Sequence, residues 1–194
     1  MGLEFELKYR ATPALLSQLR QELPGQEAVL QMQTTYYDTP TGQFSARRCT
    51  LRRRLENQTY VCTLKTPADG FGRREWEVES NSIESAIDML CKLDAPAEIL
   101  ALSEEGLIPI CGARFRRITK TLQREDCVLE IALDEGVLTG GSRELPLCEL
   151  EVELKSGSTA ACIAYGKFLE QHYGLCAEEN SKFCRALALY EGEI

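Results

Sequence analysis

A period-two alternation of apolar and charged residues runs along much of this chain. From Leu3 to Tyr9 the apolar residues fall on one face, whereas Glu4, Glu6 and Lys8 fall on the other. The same alternation returns near the other end of the chain, from residue 147 to residue 155. A repeat of two residues is typical of a β-strand, because successive side chains of a strand point to opposite faces. The pattern therefore predicts strands that each have one apolar and one charged face.

Turn residues and helix signals divide the rest of the chain into further strands and helices. A polar residue that can cap a helix precedes a helical pattern at Thr12, at Ser82, at Ser158 or Thr159, and at Ser181. We also expect a short helix between residues 94 and 111. The predicted strands cover residues 3–9, 28–37, 50–55, 59–65, 73–79, a segment from 114, 127–134 and 147–155. These elements predict one α+β domain over residues 1–194, with about eight mostly antiparallel strands.

Charge and composition exclude several classes of protein. Lys and Arg number 22 and Asp and Glu number 30, so the net charge is 22 − 30 = −8, and such a surface repels nucleic-acid backbones. No apolar run approaches the roughly 18 residues of a membrane span, and the start of the chain is too acidic for a secretory signal. The nine cysteines form no C-x-x-C pair, which disfavours a thiolate zinc site. We therefore expect a cytoplasmic protein that binds neither nucleic acid nor membranes.

The charged strand faces are compatible with two architectures. An antiparallel sheet with one face in water needs no function for its charges. However, acidic residues concentrate on the first, fifth and last predicted strands, and basic residues concentrate on the hairpin between them. Closing the sheet would set carboxylates opposite guanidinium and ammonium groups, while the helices cover the apolar outer face. The second architecture is therefore a closed eight-stranded antiparallel β-barrel with helices packed outside it.

The types of charge indicate the ligand of such an interior. Carboxylates two residues apart on a strand lie roughly 6.6 Å apart, so a pair such as Glu149 and Glu151 can share one divalent ion or hold two neighbouring ions. Ligands that are all oxygen favour Mg²⁺ or Mn²⁺ over zinc. Arg52, Arg54 and Lys65 supply donors suited to several phosphate oxygens at once. Metal-binding acids combined with a row of bases match a linear polyphosphate.

Seven short segments, in order along nearly the whole chain, resemble one known family. They are Glu4-Phe5-Glu6-Leu7-Lys8 (E-x-E-x-K), Tyr36-Tyr37-Asp38-Thr39 (Y-[YF]-D-T), Leu51-Arg52-Arg53-Arg54 (L-R-x-R), Thr63-Leu64-Lys65 (T-L-K), Arg73-Arg74-Glu75-Trp76-Glu77 (R-x-E-x-E), Glu149-Leu150-Glu151 (E-x-E) and Ser181-Lys182 (S-K). On these motifs the chain is similar to the CYTH proteins, the triphosphate tunnel metalloenzymes. The resemblance implies a closed tunnel that binds triphosphate compounds with Mg²⁺ or Mn²⁺, as two ions.

The resemblance also implies roles for individual residues. Glu149 and Glu151 would hold an ion that positions the attacking water, Glu75 and Glu77 would orient bases or water, and Tyr36 would assist Lys8 in proton transfer. The implied metal ligands are Glu4, Glu6, Glu149 and Glu151. The implied phosphate-binding residues are Lys8, Arg52, Arg54, Lys65, Arg73, Arg117 and Lys182.

One segment departs from the pattern of the family. The family often has K-x-R on the strand after the central helix, and this chain has Phe115 where the lysine would stand. Arg117 then takes the place of the arginine. Arg114 and Arg116 are alternatives, because a shift of one residue turns every side chain of a strand to the other face.

The resemblance and the charge pattern together favour metal-dependent hydrolysis of inorganic tripolyphosphate, with nucleoside triphosphates as poorer substrates. No aromatic constellation for a nucleobase or for thiamine stands out in the sequence, which favours the inorganic substrate. Glu153 and Lys155 are expected at the mouth of the tunnel. The alternatives are a class IV adenylate cyclase, a thiamine triphosphatase and a non-catalytic polyphosphate sensor. The partner is thus a small molecule, and the protein is expected to be a monomer or a homodimer.

Overall fold

A computed structural model describes residues 2–68 and 72–194 of the protein, with the backbone alone for residues 2–4. The strands in the described ranges are β1 Gly2–Glu4, β2 Glu6–Arg10, β3 Glu27–Asp38, β4 Thr50–Glu56, β5 Thr59–Pro67, β6 Arg73–Glu79, β7 Ile108–Gln123, β8 Cys127–Gly140, β9 Arg143–Gly157 and β10 Cys176–Ala177. The helices are α1 Pro13–Glu22, α2 Gln43–Ala46, α3 Ile83–Cys91, α4 Ala97–Leu100, α5 Thr159–Tyr173 and α6 Lys182–Glu191, and a 3₁₀ helix spans Ala101–Glu105.

All these strands belong to one antiparallel sheet in the order β1-β6-β5-β4-β3-β7-β8-β9-β2-β10. The expected closed eight-stranded barrel is therefore wrong: the sheet has ten strands and ends at β1 and β10. The first predicted strand is interrupted at Phe5, so β1 pairs with β6 whereas β2 pairs with β9. The short strand β10 then pairs with β2 on its other side. An alternation of side chains predicts the faces of a strand but not its neighbours, which is why the sequence missed these ends.

One face of the sheet borders a cavity of about 430 Å³. Side chains from the eight strands β2 to β9 line it, together with the first residues of α6. Most of the lining residues are charged, and they come from the alternate positions that form the polar face of each strand. The fold thus brings charged faces that are distant in sequence to one cavity.

The residues on the apolar faces of the strands pack against the helices in two cores. One core joins β2, β8 and β9 to α1 and α5, with Leu19, Leu150 and Leu169 fully buried at its centre. The other joins β4, β5 and β6 to α2, α3 and α4, with Leu64 and Trp76 at its centre. Each fully buried aliphatic or aromatic side chain contributes about 1.5–3 kcal/mol relative to exposure. These cores hold the outer face of the sheet and leave the polar face to the cavity.

The predicted helix starts at Thr12, Ser82, Ser158 and Ser181 are confirmed. In each case the side-chain oxygen accepts a hydrogen bond from a backbone N–H of the first turn, which would otherwise lack a partner. The short helix expected between residues 94 and 111 is found as α4. Among the described residues, no helix has both the length and the apolar character needed to cross a membrane.

Helix α6 lies directly on the backbone of the sheet. Its buried residues Phe183 and Ala186 join a third apolar cluster with residues of β3, β7 and β8. At Gly140, the last residue of β8, a Cβ atom would lie 2.4 Å from the backbone nitrogen of Tyr190 and 2.7 Å from the carbonyl oxygen of Ala186. Only glycine allows this approach without a shift of the helix. The contact fixes α6 so that its first residue, Lys182, reaches the cavity.

Candidate active site

Three carboxylates gather beside the cavity, and one of them, Glu151, lines it. Asp134 on β8 stands directly opposite Glu149 on β9, and Glu151 lies two residues further along β9 on the same face. Asp134 and Glu149 are both 0% exposed. One oxygen atom from each of the three lies within 4.8 Å of the others. An all-oxygen donor set of this kind fits the coordination preferences of Mg²⁺ and Mn²⁺.

The ammonium group of Lys182 lies among these three carboxylates. Its Nζ atom is 2.8 Å from Oδ2 of Asp134 and 2.7 Å from Oε1 of Glu151, and it also donates a hydrogen bond to Glu149. The side chain of Lys182 is 9% exposed. Lys182, which the resemblance assigned to phosphate, is therefore bound to the acidic cluster.

Two arginines complete the neutralisation of the cluster. Arg117 donates hydrogen bonds to both carboxylate oxygens of Asp134, and it also binds Glu151. Arg185 binds Glu149 from α6. Three cations therefore surround the three carboxylates.

The cluster shifts the proton affinities of its members in opposite directions. Burial raises the pKa of Glu149 to about 7, although Lys182 acts to lower it. Burial also acts to raise the pKa of Glu151, but Lys182 and Arg117 outweigh it and hold that pKa well below its usual range. At Lys182 burial favours the neutral amine, yet the surrounding carboxylates raise its pKa above the usual value. Lys182 and Glu151 are thus held as a charged pair.

A basic wall lies across the cavity from the cluster, on β4, β5 and β6. Glu75 stands opposite Lys65 in the pairing of β5 with β6. Its Oε1 atom is 3.5 Å from the ammonium of Lys65 and 3.6 Å from the guanidinium of Arg52. Beside this group, the hydroxyl of Thr63 donates a hydrogen bond of 3.2 Å to Glu77. The carboxylates of β6 therefore hold the cations and the hydroxyl of neighbouring strands in place.

Two more arginines extend the basic wall towards its ends. The Nε atom of Arg54 donates a hydrogen bond of 2.6 Å to Glu56. Burial lowers the pKa of Arg54, and the neighbouring Arg52 lowers it further. Arg73 donates to the backbone carbonyl oxygens of Arg48 at 2.6 Å and of Lys65 at 3.2 Å. Both arginines line the cavity.

Glu6, a predicted metal ligand of the first strand, is not part of the acidic cluster. The register of β2 with β9 sets Glu6 opposite Glu153 and Lys8 opposite Glu151. Glu6 is 3.3 Å from the ammonium of Lys8 and, like Lys8, lines the cavity. The side chain of Glu4 lies outside the described part of the chain. Of the three predicted ligands with described side chains, Glu149 and Glu151 belong to the acidic cluster and Glu6 does not.

Tyr36 also lines the cavity, where its ring packs on Phe183 of α6 at a centroid distance of 5.1 Å. Burial raises the pKa of the Tyr36 phenol above its ordinary value. The phenol therefore stays protonated at neutral pH and can donate a hydrogen bond, whereas a role as a base is disfavoured.

Of the three arginines of β7, Arg117 is the one that lines this cavity. Arg117 lines the cavity, whereas Arg114 is exposed and binds Glu144 on the other side of the sheet. Phe115 shares the face of Arg117. Its ring lies 5.4 Å from Nζ of Lys182 and 5.6 Å from Cζ of Arg117, within the range of a cation–π interaction. The phenylalanine that departs from the family pattern therefore contacts two cations of the site.

Residues 2–187 match the family model described as the CYTH domain. The chain belongs to the CYTH family. A curated relative, the inorganic triphosphatase of Haemophilus influenzae, is 30% identical over 162 residues, which cover 80% of this chain. The matched region is 46% of the length of that relative, so the chain spans about half of it.

Solved structures confirm the CYTH fold. HpAC1 from Hippeastrum, an adenylyl cyclase candidate described with a dominant triphosphatase activity, superposes with a TM-score of 0.67 at 17% identity, covering 99% of this chain and 97% of its own. The PH1819 protein from Pyrococcus horikoshii superposes with a TM-score of 0.63 at 20% identity, covering 95% of this chain and 98% of its own. At such identities the likeness concerns the fold alone.

Two charged residues of the ionic cluster around Glu149 were missed in the sequence. Asp134 is the last acid on the polar parity of β8, and that position opposite Glu149 was the signal that could have found it. Arg185 lies three residues after Lys182, so both project from the same side of α6. Glu149 itself is fully buried and in contact with Arg185. The predicted site residues that line the cavity are Glu6, Lys8, Tyr36, Arg52, Arg54, Lys65, Arg73, Glu75, Glu77, Arg117, Glu151 and Lys182.

Proposed function

We propose that this CYTH protein hydrolyses inorganic tripolyphosphate to orthophosphate and pyrophosphate with the help of a divalent metal ion. The observation that carries the proposal is one cavity with a carboxylate cluster on one side and a basic wall on the other. The name of the Haemophilus influenzae relative supports it. Because the chain spans only about half of that relative, the activity is inferred from the site as well.

The acidic cluster is the proposed position of the metal. Asp134, Glu149 and Glu151 supply a compact set of oxygen donors that suits Mg²⁺ or Mn²⁺. A bound ion would polarise phosphoryl oxygens and lower the pKa of a bound water. Glu4 and Glu6 stay a prediction for a second ion.

The basic wall is the proposed binding surface for the phosphate chain. Arg52 and Lys65 lie on neighbouring strands and present a forked donor and a point charge to the same volume. Arg54 and Arg73 extend this surface along the cavity, and Lys8 adds a cation from β2. Such fixed charges stabilise the negative charge that develops on the leaving pyrophosphate.

Glu75 and Glu77 are proposed to position this wall rather than to react. Glu75 contacts both Arg52 and Lys65, so it holds the two cations at a fixed spacing before substrate arrives. Preorganised charges contribute most to catalysis, because they cost no rearrangement during the reaction. Tyr36 is proposed as a hydrogen-bond donor beside them.

A nucleoside triphosphate is the second candidate substrate. Tyr36, Phe115 and Phe183 all line the cavity, so the fold assembles aromatic rings that are far apart in the sequence. These rings offer an apolar surface to an organic group, which the sequence pattern did not show. An adenylate cyclase or a thiamine triphosphatase would use the same surface.

Product analysis tests the proposal. The purified chain is mixed with tripolyphosphate or with ATP, each with Mg²⁺ or Mn²⁺, and the products are resolved by ion-exchange chromatography. We expect orthophosphate to be released from tripolyphosphate faster than from ATP. Cyclic AMP as the product would identify a cyclase, and binding without any product would identify a sensor. Glu144→Gln is the matched control, because Glu144 is exposed and binds Arg114 outside the cavity.

A further inference from the structure

The ammonium group of Lys182 stands at the centre of the oxygen donors that suit a divalent ion. It contacts Asp134 at 2.8 Å and Glu151 at 2.7 Å, and it donates a hydrogen bond to Glu149. The oxygens of those three residues lie within 4.8 Å of one another, so they surround a volume that fits one cation. Lys182 and a metal ion would therefore use the same oxygens.

The charge balance of the cluster shows why they exclude each other. Three acidic residues face Lys182, Arg117 and Arg185, so the cluster already holds as many cations as acids. A divalent ion added to this buried group would leave an excess of positive charge, which costs several kcal/mol per ion in a low-dielectric environment. One or more of the cations must leave for the ion to bind.

Lys182 is better able to leave than Arg117. Arg117 holds Asp134 through two hydrogen bonds, and its planar fork is fixed by that geometry. Lys182 has a flexible stem and lies at the first position of α6. Its side chain already lines the cavity, so the ammonium can turn towards the cavity without moving the helix.

We propose that Lys182 is a built-in counter-ion of the acidic cluster, which a divalent cation displaces when it binds. The displaced ammonium then faces the cavity, where a phosphate chain would meet it. Metal binding would thereby prepare a phosphate-binding group, and metal-free protein would keep this group occupied. This inference rests on the metal site of the proposed function.

Metal affinity without substrate tests the competition. Mn²⁺ binding to wild-type protein and to Lys182→Gln is measured by isothermal titration calorimetry. Glutamine leaves the carboxylates without the competing charge, so we expect Mn²⁺ to bind the variant about tenfold more tightly, an effect of the size that neighbours of metal ligands produce. Lys167→Gln is the matched control, because Lys167 is exposed on α5, and its affinity should equal that of wild type. Equal or weaker binding by Lys182→Gln would overturn the proposal.

Chemical labelling of wild-type protein gives a second test that does not depend on the variant folding. Lysines are acetylated briefly with an amine-reactive reagent, with and without Mn²⁺, and each site is measured by mass spectrometry. We expect Lys182 to be protected without metal and labelled when Mn²⁺ saturates the site, while the exposed Lys167 is labelled equally in both. Protection of Lys182 at saturating Mn²⁺ would contradict its displacement.

The two tests separate this inference from the proposed function. Mn²⁺ binding with unchanged affinity in Lys182→Gln would overturn the counter-ion role alone. The proposed function would then be tested separately, by orthophosphate release from tripolyphosphate. Failure of both proteins to bind Mn²⁺ would overturn the counter-ion role and the metal site together. Absence of hydrolysis, with the expected tightening of Mn²⁺ binding, would overturn the proposed function alone.

Discussion

Arg117 donates two hydrogen bonds to the carboxylate of Asp134, at 2.8 and 2.7 Å. This forked arrangement joins β7 to β8 beside the cavity, and Asp134 is 0% exposed. Charge-assisted pairs of this geometry are stronger than neutral hydrogen bonds, and removal of one partner leaves the other charge buried.

Asp134→Asn should therefore destabilise the protein strongly. Loss of one partner of a buried ion pair costs about 3–5 kcal/mol, which urea unfolding can measure. The exposed pair of Arg114 and Glu144 provides the comparison, since Glu144→Gln should cost about 1 kcal/mol or less. Equal losses of unfolding free energy in the two variants would show that the buried pair stabilises the protein no more than the exposed pair does.

Glu151→Gln should reduce tripolyphosphate turnover by about a hundredfold or more, whereas Glu153→Gln should lose little. Glu151 contacts both Lys182 and Arg117 in the cluster, but Glu153 is 3.0 Å from Lys155 at a more exposed position. Steady-state rates of orthophosphate release measure both. A similar loss in the two variants would contradict the placement of Glu153 outside the reacting centre.

Arg52→Ala should chiefly raise KM for tripolyphosphate. Loss of a hydrogen bond to a charged group costs about 1.5–3 kcal/mol, which corresponds to roughly 10- to 100-fold in affinity. The neighbouring Arg53 is the control, because it points to the other face and donates a hydrogen bond of 2.8 Å to the backbone oxygen of Asn81. Arg53→Ala should leave KM unchanged. An unchanged KM in Arg52→Ala would show that Arg52 does not bind phosphate as part of the basic wall.

Glu178 should make stability depend on acid pH. Burial acts to raise its pKa, but the backbone N–H of Asn180, together with Arg185 and Arg10, lowers it below the ordinary value. Because the folded-state pKa is lower than the unfolded one, the stabilisation is complete above about pH 4.3 and disappears as pH falls through the folded-state pKa.

Glu178→Gln should therefore lower the free energy of unfolding at pH 7, by about 1–3 kcal/mol, and the difference from wild type should shrink in acid. Urea unfolding of both proteins over a pH series measures it. A difference that stays constant from pH 7 to the acid limit would show that the charge of Glu178 does not contribute.

Local elements of this fold followed closely from the sequence, because their signals are local. The strand at residues 73–79 has the predicted bounds, and Ser82 and Ser181 cap helices as expected. The closure of the sheet did not follow, since it depends on which strands pair. The interruption at Phe5 and the added strand β10 leave no mark in the alternation.

The site was predictable in its residue types and less so in its groupings. Glu149, Glu151 and Lys182 all belong to one ionic cluster, yet the sequence could not show that the lysine binds the acids. The register of β2 against β9, which sets Glu6 beside Glu153, arises from long-range pairing. Asp134 was missed because a few acids in a mostly apolar strand give a weak signal.

The absence of a side chain at Gly140 affects the position of the whole helix α6 as well as the packing around the glycine. A methyl group there would clash with the backbone of α6 at Ala186 and Tyr190. Both residues lie on the same helix as Lys182, at least one turn further along it. A substitution at residue 140 would therefore displace the ammonium group of Lys182, although residue 140 is far from the proposed phosphate site. Natural variation at this glycine should be more restricted than at residues that border the ligand.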